Sequence, residues 1–211
     1  MGIRHRFHVD ANRLFLAAGA TALAIVLLAV PATRRGRRRT LGIAVLIGVV
    51  TVWVPLDGYR TARSLPYIHD ITTDTRNPPA FVAVAPLRAD APNPAAYPGE
   101  ETAAQQREAY PDIQPLDFPL SPDAVYEAAL ATARDRGWDI VAAEPGEGRI
   151  EATATTFWFG FKDDLVIRIT PRADGSRLDI RSKSRVGRSD IGKNAARIRE
   201  FTAALAERLE R

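Results

Sequence analysis

Five arginines, Arg34, Arg35, Arg37, Arg38 and Arg39, lie between two long uncharged stretches, and this arrangement restricts the chain more than any other feature. Residues 14–32 read LFLAAGATALAIVLLAVPA and residues 41–56 read LGIAVLIGVVTVWVPL. About 20 apolar residues cross a ~30 Å hydrocarbon core. Neither stretch shows the polar stripe of a helix packed on a soluble protein, so the pair reads as a transmembrane helical hairpin. An arginine at mid-membrane costs roughly 2.5–3.5 kcal/mol, and basic loops stay in the cytoplasm. The loop 33–40 is therefore expected inside and both hairpin ends outside, against the weaker vote of Arg4, Arg6 and Arg13 in or beside the 1–13 tail. Trp53 and Tyr59 fall where an aromatic belt meets the outer interface. The rest of the chain then lies on the non-cytoplasmic side of a plasma (inner) membrane, with the lipid bilayer as a partner. A cleaved signal peptide ending near Ala29-Val30-Pro31-Ala32 is the rival reading. The length of the apolar stretch, Pro31 and the second span following directly all count against it.

The sequence pI near 9.7 invites a nucleic-acid reading, but the charge is unevenly placed. Residues 1–40 hold eight arginines and one acid, Asp10, a surplus of seven. Because the whole chain stands at +4, everything after residue 40 carries −3. No broad basic surface for a phosphate backbone is expected, and nucleic acid is not a predicted partner. With no cysteine, disulfides, thiolate nucleophiles and Cys-ligated metals are excluded.

Eleven of the fifteen prolines fall in residues 65–122, which forbids continuous helix or central strand there. Residues 57–120 are expected to be a linker partly wrapped on the domain through Tyr67, Ile68, Ile71, Phe81, Val82 and Val84, with one short helix in 100–109. From Ser121 the pattern turns regular. Ser121-Pro122 reads as an N-cap and first helical position, and Val125, Ala128, Ala129 and Ala133 share a face up to Gly137. Four strands follow, at 138–143, 149–156, 164–170 and 177–184, with Ile150, Ala152, Ala154, Leu165, Ile167, Ile169, Leu178 and Ile180 facing inward. Asp174-Gly175 is a hairpin signal; as a two-residue turn it would place Ile169 opposite Ile180 and Arg168 opposite Arg181. Asp190 would cap a last helix bearing Ile198, Phe201, Leu205 and Leu209. The expected fold class is α+β: the membrane hairpin, then a 121–211 domain of a four-stranded antiparallel sheet covered on one face by two helices.

Three stretches, IHDITTDTRNPP (68–79), IEATATTFWFGFKDD (150–164) and RSKSRVGRSDIGKNAARI (181–198), resemble the family catalogued as domain of unknown function fourteen-ninety-nine. The resemblance runs from about residue 60 to the C-terminus. It implies an N-terminal membrane anchor, which family members often carry, and it implies no particular catalytic residue. By element order alone the domain is also similar to the helix-grip modules of envelope-assembly lipoproteins.

Candidate sites are few. Gly187 to Asn194 nearly fits a phosphate-binding loop, but Asn194 replaces the metal-binding hydroxyl and Asp190 stands where phosphate would sit. No nucleotide and no cofactor is expected. His69, Asp70 and Asp74 have the residue types of a metal or acid–base site, against local turn hydrogen bonds made by Asp and Thr side chains of this segment. Asp163 and Asp164 point to opposite faces of a strand and cannot act on one atom, so Asp164 is expected to pair with Arg185. Arg177, Arg181, Lys183 and Arg185 share an outward strand face near Arg168. These five form either an anion-binding surface or a solvated, salt-bridged face. Trp158 and Phe159, in the aromatic run 157–161, are candidate contacts for lipid or a partner. The expectation is a membrane-anchored, non-enzymatic envelope protein whose domain binds a protein partner or anionic ligand. The alternative is an enzyme built around His69, Asp70 and Asp74.

Overall fold

The computed structural model describes residues 65–156 and 160–210, with scattered helical positions between 42 and 56. Contacts divide the chain into two compact units, Met1–Ser64 and Leu65–Arg211. Among the described residues no helix is long and apolar enough to cross a membrane. Most of the expected hairpin, and the candidate contacts Trp158 and Phe159, lie outside the described residues.

The second unit is α+β. It runs β1 (Asp70–Thr72), α1 (Glu100–Ala109), β2 (Leu116–Phe118), α2 (Pro122–Asp135), β3 (Asp139–Glu144), β4 (Arg149–Thr155), β5 (Lys162–Arg172), β6 (Gly175–Ser184) and α3 (Lys193–Leu209), with short 3-10 turns at Pro86–Arg88 and Pro145–Glu147. The strands form one antiparallel sheet, ordered β1-β6-β5-β4-β3, and β2 also pairs with β6. The sheet has six strands, not the four expected. β1 and β2 are three residues each and sit in the Pro-rich region, too short to show alternation. They add to the free edge of β6, at Arg181–Lys183 and at Ser176–Leu178.

Local chemistry sets the helices. Ser121 Oγ accepts from Ala124 N–H at 3.3 Å and Pro122 occupies the first turn of α2. Gly137, at φ 71°, follows the helix end in the left-handed conformation that glycine adopts without strain. The Asp190 carboxylate accepts from Gly192 N–H (2.9 Å) and Asn194 N–H (2.8 Å) and so caps α3.

The inner sheet face packs against α2 and α3. Ile150, Ala152, Leu165, Ile167, Ile169, Leu178 and Ile180 meet Val125, Ala129, Ile198, Phe201 and Leu205, all buried. The Trp138 ring stacks on Phe201 at 5.2 Å between centroids. The hairpin register differs from expectation: Arg172 pairs with Gly175, so the two-residue turn is Ala173-Asp174. Ile167 therefore faces Ile180, Ile169 faces Leu178, and Arg168 faces Asp179 instead of Arg181. The shift is two residues, which keeps every side chain on its expected face and removes the like-charge contact.

Candidate functional site

β6 alternates strictly. Ser182 and Ser184 point toward α3, whereas Arg177, Asp179, Arg181, Lys183 and Arg185 line the opposite face beside Glu151 and Thr153 of β4 and Asp164 and Arg168 of β5. Polar alternation usually marks a face open to water, but this one is closed. Arg181 is 2% exposed, Lys183 1%, and Asp70, Glu151 and Asp164 0%. The cover is the chain's own Pro-rich segment, roughly residues 73–98. Phe81 and Val84 pack on Val166 in a second small core, with Ala85, Ala95 and Val141 at its margin.

Each charge under the cover has an internal partner. Asp70 accepts from Arg181 Nε (2.9 Å) and Nη2 (2.8 Å) and from Lys183 Nζ (2.9 Å). Arg181 also donates to the carbonyls of Pro79 (3.0 Å) and Ala95 (2.9 Å), its guanidinium lying 4.7 Å from the Phe81 ring centroid and 5.3 Å from that of Tyr97. Lys183 donates to Ala96 O at 2.7 Å. Asp164 receives Arg185 bidentately (2.8 Å each), the Thr153 hydroxyl (2.8 Å) and an ion pair with Arg88 (3.1 Å). Glu151 accepts from the amides of Val82, Ala83 and Val84 (2.8–3.1 Å) and pairs with Arg149. Asp74 and Asp179 bridge Arg168 and Arg177.

Burial shifts several of these groups. Desolvation pushes Lys183 below the usual lysine range, and the attraction of Asp70 opposes it. Desolvation likewise lowers Arg88, against Asp164. The Tyr97 hydroxyl is pushed up to about 12, first by burial and then by the Asp70 charge.

On the inner side the same strand end is also polar. Ser182 Oγ donates to Asn194 Oδ1 (2.7 Å), and Asn194 Nδ2 donates to Ser184 Oγ (3.0 Å) and His69 O (3.1 Å). Arg197 joins Asn194 to Asp163. The run Arg181-Ser182-Lys183-Ser184-Arg185 thus sends its cations to the cover and its hydroxyls to α3.

The candidate sites now have places. His69, Asp70 and Asp74 are near in sequence, but they do not form a metal- or acid–base-type cluster. Asp70 is enclosed by Arg181 and Lys183. Asp74 binds Arg168 and Arg177 and also accepts from the backbone amides of Arg76 and Asn77, the expected turn bonds. Among the described residues no group of three His, Asp or Glu side chains could hold a metal ion. The anion-binding set Arg168, Arg177, Arg181, Lys183 and Arg185 is brought together on one face, but it is turned against the chain's own acids and carbonyls. Both sequence expectations assumed a face open to water; Arg181 and Lys183 are instead buried, and Arg168, Arg177 and Arg185 are partly exposed. Arg185 does bind Asp164, from a neighbouring register position. Sequence reasoning missed Arg88, Glu151 and Tyr97, through which the cover grips the sheet beside the expected anchors Phe81 and Val84. The available signal was the number of unlike charges at outward positions of adjacent strands.

A two-layer α+β domain with a sealed charged face defines the class. Within it, the chain belongs to the family described as "Protein of unknown function (DUF1499)", whose model matches residues 70–205. The three stretches that carried the resemblance supply Asp70, Glu151, Asp164, Arg181, Lys183 and Asn194, the residues that meet in these networks. A crystal structure of protein CV1439 from Chromobacterium violaceum is similar at 16% identity and a TM-score of 0.33, over 46% of this chain and 91% of that one. No curated protein matches the chain.

Proposed function

We propose that this chain is a membrane-anchored, non-enzymatic protein of the cell envelope whose domain lies on the non-cytoplasmic side and binds a protein partner or an anionic ligand. One observation carries the non-enzymatic reading: Asp70, Asp74, Glu151, Asp164 and Asp179 are all engaged by cations or amides of the same chain. A general base needs a lone pair within reach of a substrate; Asp70, Glu151, Asp164 and Asp179 are buried, and both oxygens of the partly exposed Asp74 already accept hydrogen bonds. Support for anchoring comes from the uncharged stretches 14–32 and 41–56 and the arginines between them. We read the helices packed on one sheet face as a helix-grip-like arrangement. Because the five strand cations are committed to the fold, binding falls to cations outside the cover.

A reporter fused after Arg211 is expected to be active only outside the cytoplasm, and replacing the five loop arginines by Ser to weaken or invert that orientation. Cytoplasmic activity of the unaltered fusion sinks the placement. Crosslinking in intact membranes, followed by recovery of the chain, reads the partner. Stoichiometric metal in the purified full chain, lost on Asp74→Ala, would instead favour the enzyme built on His69, Asp70 and Asp74.

A further inference from the structure

Resting on the anchored reading, we infer that the end of the sheet where the chain enters the domain is a lipid-contact surface that seats the domain on an anionic bilayer. Several pieces of chain meet at this end. Leu65 Cδ1 lies 3.2 Å from where a Cβ would stand on Gly192. Ile68 O accepts from Asp190 N–H at 3.2 Å, and the Arg188 guanidinium lies 5.7 Å from the centroid of the Tyr67 ring. Arg185 N–H donates to Lys162 O (3.0 Å) and its Nη1 to Leu87 O (3.1 Å), while Asn93 Nδ2 reaches Gly187 O (2.9 Å). The first residues of the domain, the 3-10 turn, the start of β5 and the β6–α3 connection therefore share one end.

Apolar and basic side chains are displayed there together. Tyr67 is 67% exposed, Leu87 58%, Ile191 51% and Val186 40%. Lys162, Arg188 and Lys193 are exposed, and they take no part in the ion pairs found among the described residues. Asp190 is turned onto the start of α3, which leaves Asp90 as the exposed acid of the adjoining turn.

Ile191 adds an independent sign. Its φ is +52°, the one positive value at a non-glycine among the described residues. A β-branched side chain is a poor choice in the left-handed region, where glycine or asparagine folds with less strain. Held there and half in water, the isoleucine serves neither the backbone nor the core, and an observed outlier of this kind points to function.

Two arguments make the occupant a bilayer. Residues 57–64 connect Leu65 to the uncharged stretch ending at Leu56, a reach of at most about 30 Å, so an anchored domain stays within one domain diameter of the lipid. Basic, aromatic and aliphatic side chains together suit the headgroup boundary of an anionic leaflet.

The chain has no cysteine, so single labels can be placed in the full-length protein by Ile191→Cys, Val186→Cys and, in the β5–β6 turn at the far end of the sheet, Ala173→Cys. An environment-sensitive fluorophore is attached at each, and the chain is reconstituted in phosphatidylcholine vesicles with and without phosphatidylglycerol. Labels at 191 and 186 are expected to be quenched by brominated lipid several-fold more than the label at 173. Phosphatidylglycerol should deepen the effect, and Lys162→Ser with Lys193→Ser should reduce it. If the chain floats with the vesicles but all three labels are equally open to aqueous iodide, the lipid surface is refuted and anchoring stands. If the chain fails to float, anchoring and the inference fall together. Protection of 191 in native membranes but not in pure lipid would overturn the inference in favour of a protein partner. Ile191→Gly separates folding from contact: the melting temperature should hold or rise while quenching at 186 falls. A lower melting temperature with unchanged quenching would assign Ile191 to the fold and overturn the inference.

Discussion

The two faces of the sheet are both buried, by opposite means. The face toward α2 and α3 is closed by aliphatic side chains and the Trp138–Phe201 stack. The face under the Pro-rich cover is closed by ion pairs, carbonyls and a three-residue apolar patch of Phe81, Val84 and Val166. Apolar attraction is non-directional, and its specificity comes from shape alone. Buried charges tolerate no displacement, because each must meet its partner in place. A cover with no strand and no α-helix can therefore be positioned by charges on the sheet beneath it. Arg181 and Lys183 locate Pro79, Ala95 and Ala96, and Glu151 locates Val82, Ala83 and Val84.

The largest effect should come from opening the charged face. Asp70→Ala leaves Arg181 and Lys183 buried without a carboxylate and should destabilise the domain by roughly 3–5 kcal/mol in a denaturant melt. Phe201→Ala on the other face should match it, at roughly 3–5 kcal/mol, through a cavity. The faces then part on repair. Asp70→Ala combined with Arg181→Met and Lys183→Met should recover most of the loss, since apolar groups often replace buried ion pairs at little cost. No recovery would mean that the carbonyl contacts of the cover, not the ion pairs, hold that face. Glu151→Gln should cost about 1–3 kcal/mol and speed hydrogen exchange at the amides of Val82–Val84. Arg199→Ala, which breaks a surface pair with Asp112, should stay within about 0–1 kcal/mol.

The smallest effect concerns pH. Burial, and secondarily the Lys183 charge, hold His69 below its ordinary value of 6.5, against the opposing pull of Asp70 and Asp190. Its unfolded form binds a proton first on acidification. The His69 contribution is thus complete above the ordinary value and is lost as pH falls through the lowered folded one. Melting temperature should drop from about pH 7 to about pH 5, and His69→Gln should flatten part of that slope.

The apolar face was legible because its period was: Ile150, Leu165, Ile167, Leu178 and Ile180 alternate, and Ser121-Pro122 and Asp190 mark helix starts. The charged face obeyed the same period but was assigned to water, since alternation says which face a residue occupies and not what covers it. β1 and β2 were illegible for a different reason. Three residues carry no pattern, and they became strands through pairing with β6 at a sequence distance of about sixty residues or more. The hairpin turn fell at Ala173-Asp174 instead of Asp174-Gly175; Gly175 opens β6 at φ 141°, where a Cβ would stand 2.0 Å from Phe118 O. That glycine is required by the neighbouring strand as well as by its turn, a reason no local pattern records.

The chain has three lysines, Lys162, Lys183 and Lys193, and this permits one direct test of the buried charged face. Lys183 is 1% exposed beneath the cover, whereas the other two are exposed. Acylation of the folded chain, followed by mass spectrometry, compares all three within one molecule. Lys162 and Lys193 should react freely, and Lys183 at least about tenfold more slowly, its labelling waiting on local opening of the cover. Denaturation should abolish the difference. Equal reactivity of the three lysines in the folded chain would contradict the account, because the face carrying Asp70, Arg181 and Lys183 would then stand open to water.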